Sequence, residues 1–515
     1  MHCPRLFVSS WKRVLCTTVA ITLAAAFNLA TAADLQLPNI FSDNMVLQRD
    51  HENPVWGRCD AGAEVMVSIA SQAKKATADA NGDWKVVLDP MSVTTDPQTL
   101  TVTCGEQSVS RKNILVGEVW ICSGQSNMRW TLQRSSNADI ESLTANYPNL
   151  RLITYPNVGR QEPVWSHENV QWVECTPETA LPFSAVGYFF GRQLHETLDV
   201  PVGLINNAWG GSAAEAWVRR DAMEGNEEFQ PILDRYAAMA QQYEKLKEVE
   251  NPTKEQRQQM NRLRGRISGN QNPSNIYNGV LKSHISYGIR GAIWYQGESN
   301  SSRAYQYRNL FPLMISEWRK EWGQGDFPFY WVQLADFRAE RSEPSESDWA
   351  ELREAQTMTL DRLPNTGQAV IIDVGEGKDI HPQNKLAVGQ RLARLALHHD
   401  YGINIAADSP RLKSSEIGEG FVDLVFDHIP TGWRTFDVKE PIGFTIAGDD
   451  KKFYEAQAVI QKNNSVRVSS PSVVKPASVR YGWADNPVLN MFSKEGLPLT
   501  PFRTDDWPGI TAEKR

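Results

Sequence analysis

The pattern of apolar and polar residues predicts that the chain begins with strands. Over residues 33–112 apolar and polar positions alternate with a period of two, which is typical of strands that bury one face. Asn81-Gly82 lies between two such runs, 75–79 and 84–88, and this dipeptide favours a hairpin. Short strands at this spacing predict a β-sandwich region over 33–112.

The pattern then changes to apolar strands separated by helical stretches, which predicts a parallel sheet covered on both faces. This region spans residues 113–407 and is predicted to be an α/β domain. The predicted strands are 114–122, 202–206, 291–295, 329–334 and 369–374, and the predicted helices include 183–196, 305–322 and 386–398.

Two further segments complete the predicted organisation. Residues 221–272 are polar and charged, with helical stretches at 229–248 and 254–267, and they predict a helical hairpin inserted at the edge or mouth of the sheet. From about 408 to 515 the alternating pattern returns, so we expect a second β-rich accessory region.

The start of the chain reads as a signal peptide over residues 1–32. Three basic residues precede a mostly apolar run at 14–30, and Ala30-Thr31-Ala32 fits a small-x-small cleavage site. An uncleaved anchor is the alternative, although no polar stop-transfer flank follows. After cleavage no long apolar run remains, so we expect an exported protein, periplasmic or extracellular, with no membrane association.

Charge and cysteine content narrow the function classes. The net charge is −8 at pH 7 and there is no basic tract, which argues against nucleic acid as a partner. Cleavage leaves Cys59, Cys104, Cys122 and Cys175 without any C-x-x-C pair, so the sequence predicts no metal site and no cofactor. Export makes disulfides possible, but the sequence does not choose among three pairings. The oligomeric state is open.

Candidate chemistry lies after the predicted strands, because sites in open parallel sheets form at the carboxyl ends of strands. Gly124-x-Ser126 presents a hydroxyl on a tight turn after the first strand. Met128 stands where a hydrolase elbow has its second glycine, so this is not that elbow, and a plain serine N-cap is the competing interpretation.

The other requirements for acyl transfer are a base and donors for an oxyanion. His381 is the histidine that lies in a loop after a predicted strand, with Asp379 two residues before it. Gly210 and Gly211 allow backbone N–H groups to approach a ligand, and Gln296 adds a side-chain amide. A surface loop and a tight turn are equally good readings of each motif alone; together the motifs favour one site.

Four sequence blocks resemble the sialate O-acetylesterase family within the SGNH (GDSL-like) hydrolases. They are GEVWICSGQSNMRW, GLINNAWGGSAAEAW, IWYQGESN and DIHPQNK, and stretches near both ends of the chain are similar as well. The resemblance covers nearly all of the chain after the leader. It implies a three-layer α/β/α sandwich with accessory β-sandwich regions, and metal-free ester hydrolysis through an acyl-enzyme, with an O-acetylated carbohydrate as substrate.

The resemblance also implies roles for individual residues. The implied catalytic residues are Ser126 as nucleophile, His381 as base and Asp379 as third member, and the implied oxyanion hole comprises Ser126, Gly210, Gly211 and Gln296. Gln125, Asn127, Arg129 and Glu298 are the expected substrate contacts, and Glu298 is also the other carboxylate that could lie near His381. Arg129 departs from the family, since many relatives have Glu there, and its expected role follows from its position beside the nucleophile. The family spacing is Asp-x-x-His, whereas this chain has Asp-x-His, which leaves a Ser-His dyad open. A Cys59–Cys104 disulfide is the preferred pairing. Both cysteines lie in the strand-rich N-terminal region, at positions where many relatives have small residues instead.

Three other functions compete with a sialate esterase. An acetylxylan or other polysaccharide acetylesterase would share all of the chemistry. A glycosidase would use Glu298 and Asp379 as its carboxylate pair and would leave Ser126 unexplained. A non-catalytic sugar-binding protein would need neither Ser126 nor His381.

Overall fold

The fold is taken from a computed structural model that describes Met1 and residues 34–515. The predicted signal peptide, residues 1–32, lies outside the described residues apart from Met1. In the described part, no helix is both long enough and apolar enough to cross a membrane.

The N-terminal region consists of strands, as the alternating pattern predicts. They are β1 (Val46–Gln48), β2 (Asn53–Arg58), β3 (Glu64–Ile69), β4 (Gln72–Thr77), β5 (Asp83–Leu88), β6 (Thr94–Cys104) and β7 (Gln107–Gly124). The predicted hairpin around Asn81-Gly82 is wrong, because β4 pairs with β3 while β5 pairs with β2. The chain does turn here, since Asp79 accepts hydrogen bonds from the N–H groups of Asn81 and Asp83. The turn carries the chain between two ladders instead of closing one.

Strand β7 is 18 residues long and belongs to two sheet regions at once. Its first part pairs with β6 in the N-terminal region, and its last part lies in the central sheet. The domain boundary predicted at 112–113 therefore falls inside a single strand.

A parallel sheet forms the centre of the fold, which is mixed α/β. Its further strands are β8 (Tyr147–Thr154), β9 (Val173–Cys175), β10 (Val202–Asn206), β11 (Gly291–Tyr295), β12 (Phe329–Val332) and β13 (Thr366–Ala369). The order is β13-β12-β11-β7-β10-β8-β9, parallel throughout except for β9. The strand predicted at 369–374 is shifted, because β13 ends at Ala369 and the next residues are irregular.

The helical stretches predicted at 183–196, 229–248, 254–267, 305–322 and 386–398 are present, and they are accompanied by further helices that the apolar pattern does not predict. The helices are α1 (Ser126–Arg129), α2 (Ala138–Thr144), α3 (Pro177–Ala180), α4 (Ala185–Leu198), α5 (Arg220–Met223), α6 (Gln230–Lys247), α7 (Lys254–Ile267), α8 (Asn275–Gly279), α9 (Ala304–Trp322), α10 (Asp348–Met358) and α11 (Lys385–His399). Helices α6 and α7 pack on each other and form the helical hairpin predicted within 221–272.

The central strands bury both faces against helices. Ile121 and Trp294 lie in one hydrophobic core together with residues of α9. Trp120 and Ile293, their neighbours in sequence, lie in a second core with residues of α4 and α11. Because successive side chains of a strand point to opposite faces, these two cores account for the continuous apolar runs.

The C-terminal region is β-rich, as predicted from residue 408 onwards. Its strands are β14 (Arg411–Ile417), β15 (Phe421–Asp427), β16 (Trp433–Thr435), β17 (Phe444–Ala447), β18 (Phe453–Glu455), β19 (Gln457–Ile460), β20 (Val466–Ser469), β21 (Ser478–Tyr481), β22 (Met491–Ser493) and β23 (Phe502–Arg503). They enclose a hydrophobic core of their own.

The cysteines correct one expectation. Cys59 and Cys104 are buried free thiols, so the preferred Cys59–Cys104 disulfide is wrong for this structure. The two side chains do interact, because burial and the neighbouring Cys104 thiol raise the pKa of Cys59 to about 12. The pair thus packs in the N-terminal core as two buried, apolar side chains.

Candidate active site

The turn after β7 presents the Ser126 hydroxyl at the carboxyl end of the sheet. Gly124 has φ +129, and a Cβ there would overlap the backbone of Tyr295 on the adjacent β11, so the close approach requires glycine. The Gln125 N–H donates to the Tyr295 carbonyl at 2.9 Å, which fixes the turn to β11. Ser126 then begins α1 and remains partly exposed.

His381 lies directly against this serine. Its Nε2 is 2.8 Å from Ser126 Oγ, and its Nδ1 is 3.3 Å from Asp379 Oδ1. The same carboxylate oxygen accepts the His381 backbone N–H at 2.9 Å, which is how a two-residue spacing brings the carboxylate to the ring. Burial lowers the pKa of His381, and this outweighs the opposing effect of Asp379, so the imidazole is held in its neutral, proton-accepting form.

The imidazole also has a fixed orientation, because Trp130 stacks on it. The two ring centroids are 5.0 Å apart with an interplanar angle of 17°. The Arg134 guanidinium lies over the Trp130 ring at 3.7 Å. Trp130 is the last residue of the GEVWICSGQSNMRW block, but the sequence does not show which aromatic side chain contacts a distant histidine.

The glycine turn after β10 completes the arrangement. A Cβ on Gly210 would lie 3.4 Å from Ser126 Cβ, so this backbone directly faces the serine. Within residues 34–515, neither the Ser126 N–H nor the Gly210 N–H has a hydrogen-bond acceptor. Asn270, in the loop that returns from the helical hairpin, donates to the Gly210 carbonyl at 2.5 Å, and Gln271 reaches the Gly211 carbonyl at 3.3 Å.

Gln296 differs from the sequence-based expectation. Its side chain is fully buried, and its amide nitrogen donates to Ser212 O at 3.1 Å and to Asn300 Oδ1 at 2.7 Å. Tyr307 donates to its carbonyl oxygen at 3.0 Å. Because both amide hydrogens already have acceptors, this side chain has none to offer an oxyanion in this arrangement.

All four predicted substrate contacts have hydrogen-bond partners within the protein. Gln125 and Asn127 are buried; Gln125 Oε1 accepts weakly from Gly297 and Ser299 at 3.4 Å, and Asn127 donates to Glu298 at 2.7 Å. The fourth, Arg129, is partly exposed and contacts Asn157 and the Ala208 carbonyl.

Residues 34–515 contain no group of three or more His, Cys, Asp or Glu side chains suited to a metal ion. The predicted site residues that do meet are therefore a hydroxyl, an imidazole, a carboxylate and two backbone donors. This set can form and cleave an acyl ester by nucleophilic and general-base catalysis.

We expect Gly124→Ala to destabilise the protein by about 2 kcal/mol or more, because it adds a steric overlap to an unfavourable φ. Gly62→Ala is the matched control, since Gly62 has φ +76 but open space around its Cβ position. Thermal unfolding of both variants measures the difference. Equal stability of the two would show that Tyr295 yields to the new methyl group.

Comparison with known proteins identifies the family. The model of a family of carbohydrate esterases, the sialic acid-specific acetylesterases, matches residues 116–249 and 266–398. The chain belongs to this family. Its members are carboxylic ester hydrolases, and the matched residues include the Ser126 turn and the His381 loop. The gap in the match, residues 250–265, lies in the helical hairpin and covers part of the turn after α6 and most of α7.

Individual relatives agree with this membership. The chain is 28% identical to mouse sialate O-acetylesterase over 465 residues, which is 79% of this chain and 82% of the mouse protein. It is 30% identical to the rat sialate O-acetylesterase, over 73% and 76% of the two chains. A crystal structure of a carbohydrate acetylesterase from Xanthomonas citri superposes with a TM-score of 0.79 at 36% identity, covering 92% of this chain and all of that one.

Proposed function

We propose that this carbohydrate esterase removes O-acetyl groups through an acyl-enzyme formed on Ser126, with sialate esters as its substrates. The observation that carries the proposal is the 2.8 Å contact between His381 Nε2 and Ser126 Oγ. The two cores on either face of the central sheet support an SGNH-like three-layer sandwich. We further propose accessory β regions at 33–112 and 408–515 around a catalytic region at 113–407, in an exported protein.

In the first half-reaction, Ser126 Oγ attacks the ester carbonyl carbon while His381 Nε2 takes the hydroxyl proton. The N–H groups of Ser126 and Gly210, whose backbones lie side by side, are the proposed donors to the negative charge that develops on the carbonyl oxygen. The bond to the sugar oxygen then breaks, and the sugar leaves with the proton from His381. The acetyl group remains on Ser126.

In the second half-reaction, a water molecule attacks the acetyl carbon and gives its proton to His381. Collapse of the second tetrahedral intermediate returns the proton from His381 to Ser126 Oγ and releases acetic acid, which ionises to acetate in water. Asp379 holds the imidazole through Nδ1 and stabilises the cation that forms twice in the cycle. Each step needs a neutral His381 at its start, which agrees with the lowered pKa of this residue.

The substrate proposal rests on Arg129 in addition to the family. Arg129 ends α1, three residues after Ser126, and its hydrogen-bond partners are an amide and a carbonyl. Within residues 34–515 it forms no ion pair with a carboxylate. A guanidinium without an acidic partner favours a substrate that carries a carboxylate, such as an acetylated sialic acid.

A polysaccharide acetylesterase is the second candidate, because the Xanthomonas citri relative at 36% identity is a carbohydrate acetylesterase, a class that is not confined to sialate esters. Such a substrate, for example acetylated xylan, presents neutral sugars. The two candidates share the catalytic steps and differ in what Arg129 contacts.

Acetate release from three substrates tests the proposal: O-acetylated sialic acid, acetylated xylan and a small chromogenic acetate. We expect the sialate ester to have the highest kcat/KM. Arg129→Gln should raise KM for this ester about tenfold, the loss of one charge-assisted contact, and leave the chromogenic acetate unchanged. A preference for xylan that survives Arg129→Gln would favour the second candidate. No release from any substrate would contradict both.

A further inference from the structure

Lys385 is a buried lysine beside the catalytic residues, and neither half-reaction uses it. It is the first residue of α11, and its side chain is fully buried. Its Nζ donates to Asn127 Oδ1 at 2.5 Å, so its hydrogen-bond partner is a neutral amide and not a carboxylate. The rings of Tyr295 and Trp130 lie 5.3 and 5.8 Å from the ammonium.

Burying an ammonium group without an ion-pair partner costs free energy. Burial lowers the pKa of Lys385 to about 7, against the opposing attraction of Glu298, Glu376 and Asp379. A hydrophobic residue of the same length would avoid this cost, so the lysine needs an explanation other than stability.

We look for the explanation in the hydrogen bonds of the Asn127 side chain, to which Lys385 donates. Its Nδ2 donates to Glu298 Oε1 at 2.7 Å and to the Ile380 carbonyl at 3.0 Å. Asn127 follows Ser126 in the chain, and Ile380 precedes His381. One amide group therefore joins the nucleophile turn to the histidine loop.

The ammonium group fixes which way this amide points. If the amide flipped, its NH₂ group would face the Lys385 ammonium, and its oxygen would face the Glu298 carboxylate and the Ile380 carbonyl. All three contacts would become repulsive. Without the ammonium, the carbonyl oxygen of a buried Asn127 would lose its donor, and the two loops would lose part of their connection.

We propose that Lys385 is a positioning residue that orients the Asn127 amide and so holds Ser126 and His381 at bonding distance. The inference rests on the proposed catalytic roles of Ser126 and His381. The sequence gives no role to Lys385, and it predicts Asn127 as a substrate contact. The proposal gives both residues a function in holding the catalytic residues in place.

The charge of Lys385 also reaches His381. The charged groups that act on this imidazole are Asp379, which raises its pKa, and Lys385 and Arg134, which lower it, while burial lowers it most. The other close neighbours, Ser126 and Trp130, are uncharged. Removing the ammonium should therefore raise the pKa of His381. Because the reaction needs neutral His381, the acidic limb of the kcat/KM profile should move to higher pH.

The test compares Lys385→Met with Lys378→Met. Lys378 is an exposed lysine in the loop that carries His381, just before α11, and serves as the matched control. With the chromogenic acetate, we expect Lys385→Met to lower kcat about 10- to 100-fold, because a small misplacement of reacting groups has this effect, and to leave KM within about threefold. Its acidic limb should move to higher pH, which a purely structural role would not cause. Lys378→Met should match the wild type in both respects.

Two further variants keep the inference falsifiable if Lys385→Met does not fold. Lys385→Arg retains a cation and donors, so we expect its acidic limb at the wild-type pH and its kcat within about tenfold of wild type. The double variant Lys385→Met/Asn127→Ala should be no slower than Asn127→Ala alone, since both act through one amide.

If Lys385→Met had the same kcat and the same pH profile as the wild type, the inference would be overturned. Multiplying effects in the double variant, or a Lys385→Arg enzyme as slow as Asn127→Ala, would also overturn it. Failure of the catalytic proposal itself has a separate signature, namely an active Ser126→Ala enzyme.

Discussion

Replacing Ser126 with alanine is expected to lower acetate release by about 10⁴-fold or more while the protein stays folded. The reason is that no other hydroxyl in the described residues is bonded to His381, so the acyl-enzyme has no alternative site. Among residues 34–515 the Ser126 side chain makes no other hydrogen bond, so its loss should not disturb the fold. Initial rates with the chromogenic acetate, together with the unfolding temperature, measure both parts of the prediction.

Ser123→Ala is the matched control for this variant. Ser123 lies in the same strand, is fully buried, and its hydroxyl has no hydrogen-bond partner among residues 34–515. Its removal should leave activity within about twofold and stability unchanged or slightly higher. Activity of Ser126→Ala within tenfold of wild type would show that another nucleophile carries the reaction.

His381→Ala is expected to be as slow as Ser126→Ala, because the hydroxyl then has no base. Asp379→Asn should cost less, about 10²-fold. The carboxylate contacts Nδ1 at 3.3 Å, but half of the Asp379 side chain is exposed, so water screens its charge. The loss of about 10⁴-fold seen for the corresponding change in a serine protease is therefore an upper bound.

The pH profile of Asp379→Asn is a second test of the contact between Asp379 and His381 Nδ1. Asp379 raises the pKa of His381, so its neutral replacement should lower that pKa and move the acidic limb of kcat/KM to lower pH. This is the direction opposite to that expected for Lys385→Met. A nearly wild-type rate with an unmoved limb, beside an inactive His381→Ala, would remove Asp379 from the mechanism. His51→Ala serves as the control for loss of a histidine elsewhere.

Much of the central fold follows from the sequence because its strands are buried on both faces. The bounds of β10 and β11 agree with the apolar runs at 202–206 and 291–295. Helix α10 was not recognised, since its buried face includes the polar side chains of Glu351 and Arg353 and so lacks an apolar stripe. Arg353 is satisfied by backbone carbonyls from distant segments, which no local pattern can show.

For the candidate site, the sequence predicts which residues meet but not how their side chains are oriented. That Ser126 and His381 meet follows from the rule that polar residues after parallel strands share one edge of the sheet. Which way each amide points does not follow from that rule. Gln296 and Asn127 lie at the expected strand ends, yet both turn into the protein, because buried partners compete with a ligand for their hydrogen bonds. The buried state of Lys385 was equally hidden, since lysine at a helix start is normally solvated.

Because β7 belongs to both the N-terminal region and the central sheet, the N-terminal region cannot be removed or exchanged without affecting the strand that leads to Ser126. The same 18-residue strand reaches from the ladder with β6 to the nucleophile turn, and it bends at Asn113, where φ is +57. Removing the residues before it would take away the pairing partners of its first half and leave a row of unpaired backbone N–H and C=O groups. The accessory region is thus no interchangeable module that recombination could exchange at a linker. The two parts should melt in a single cooperative transition, and sequence change in one is constrained by the register of the other.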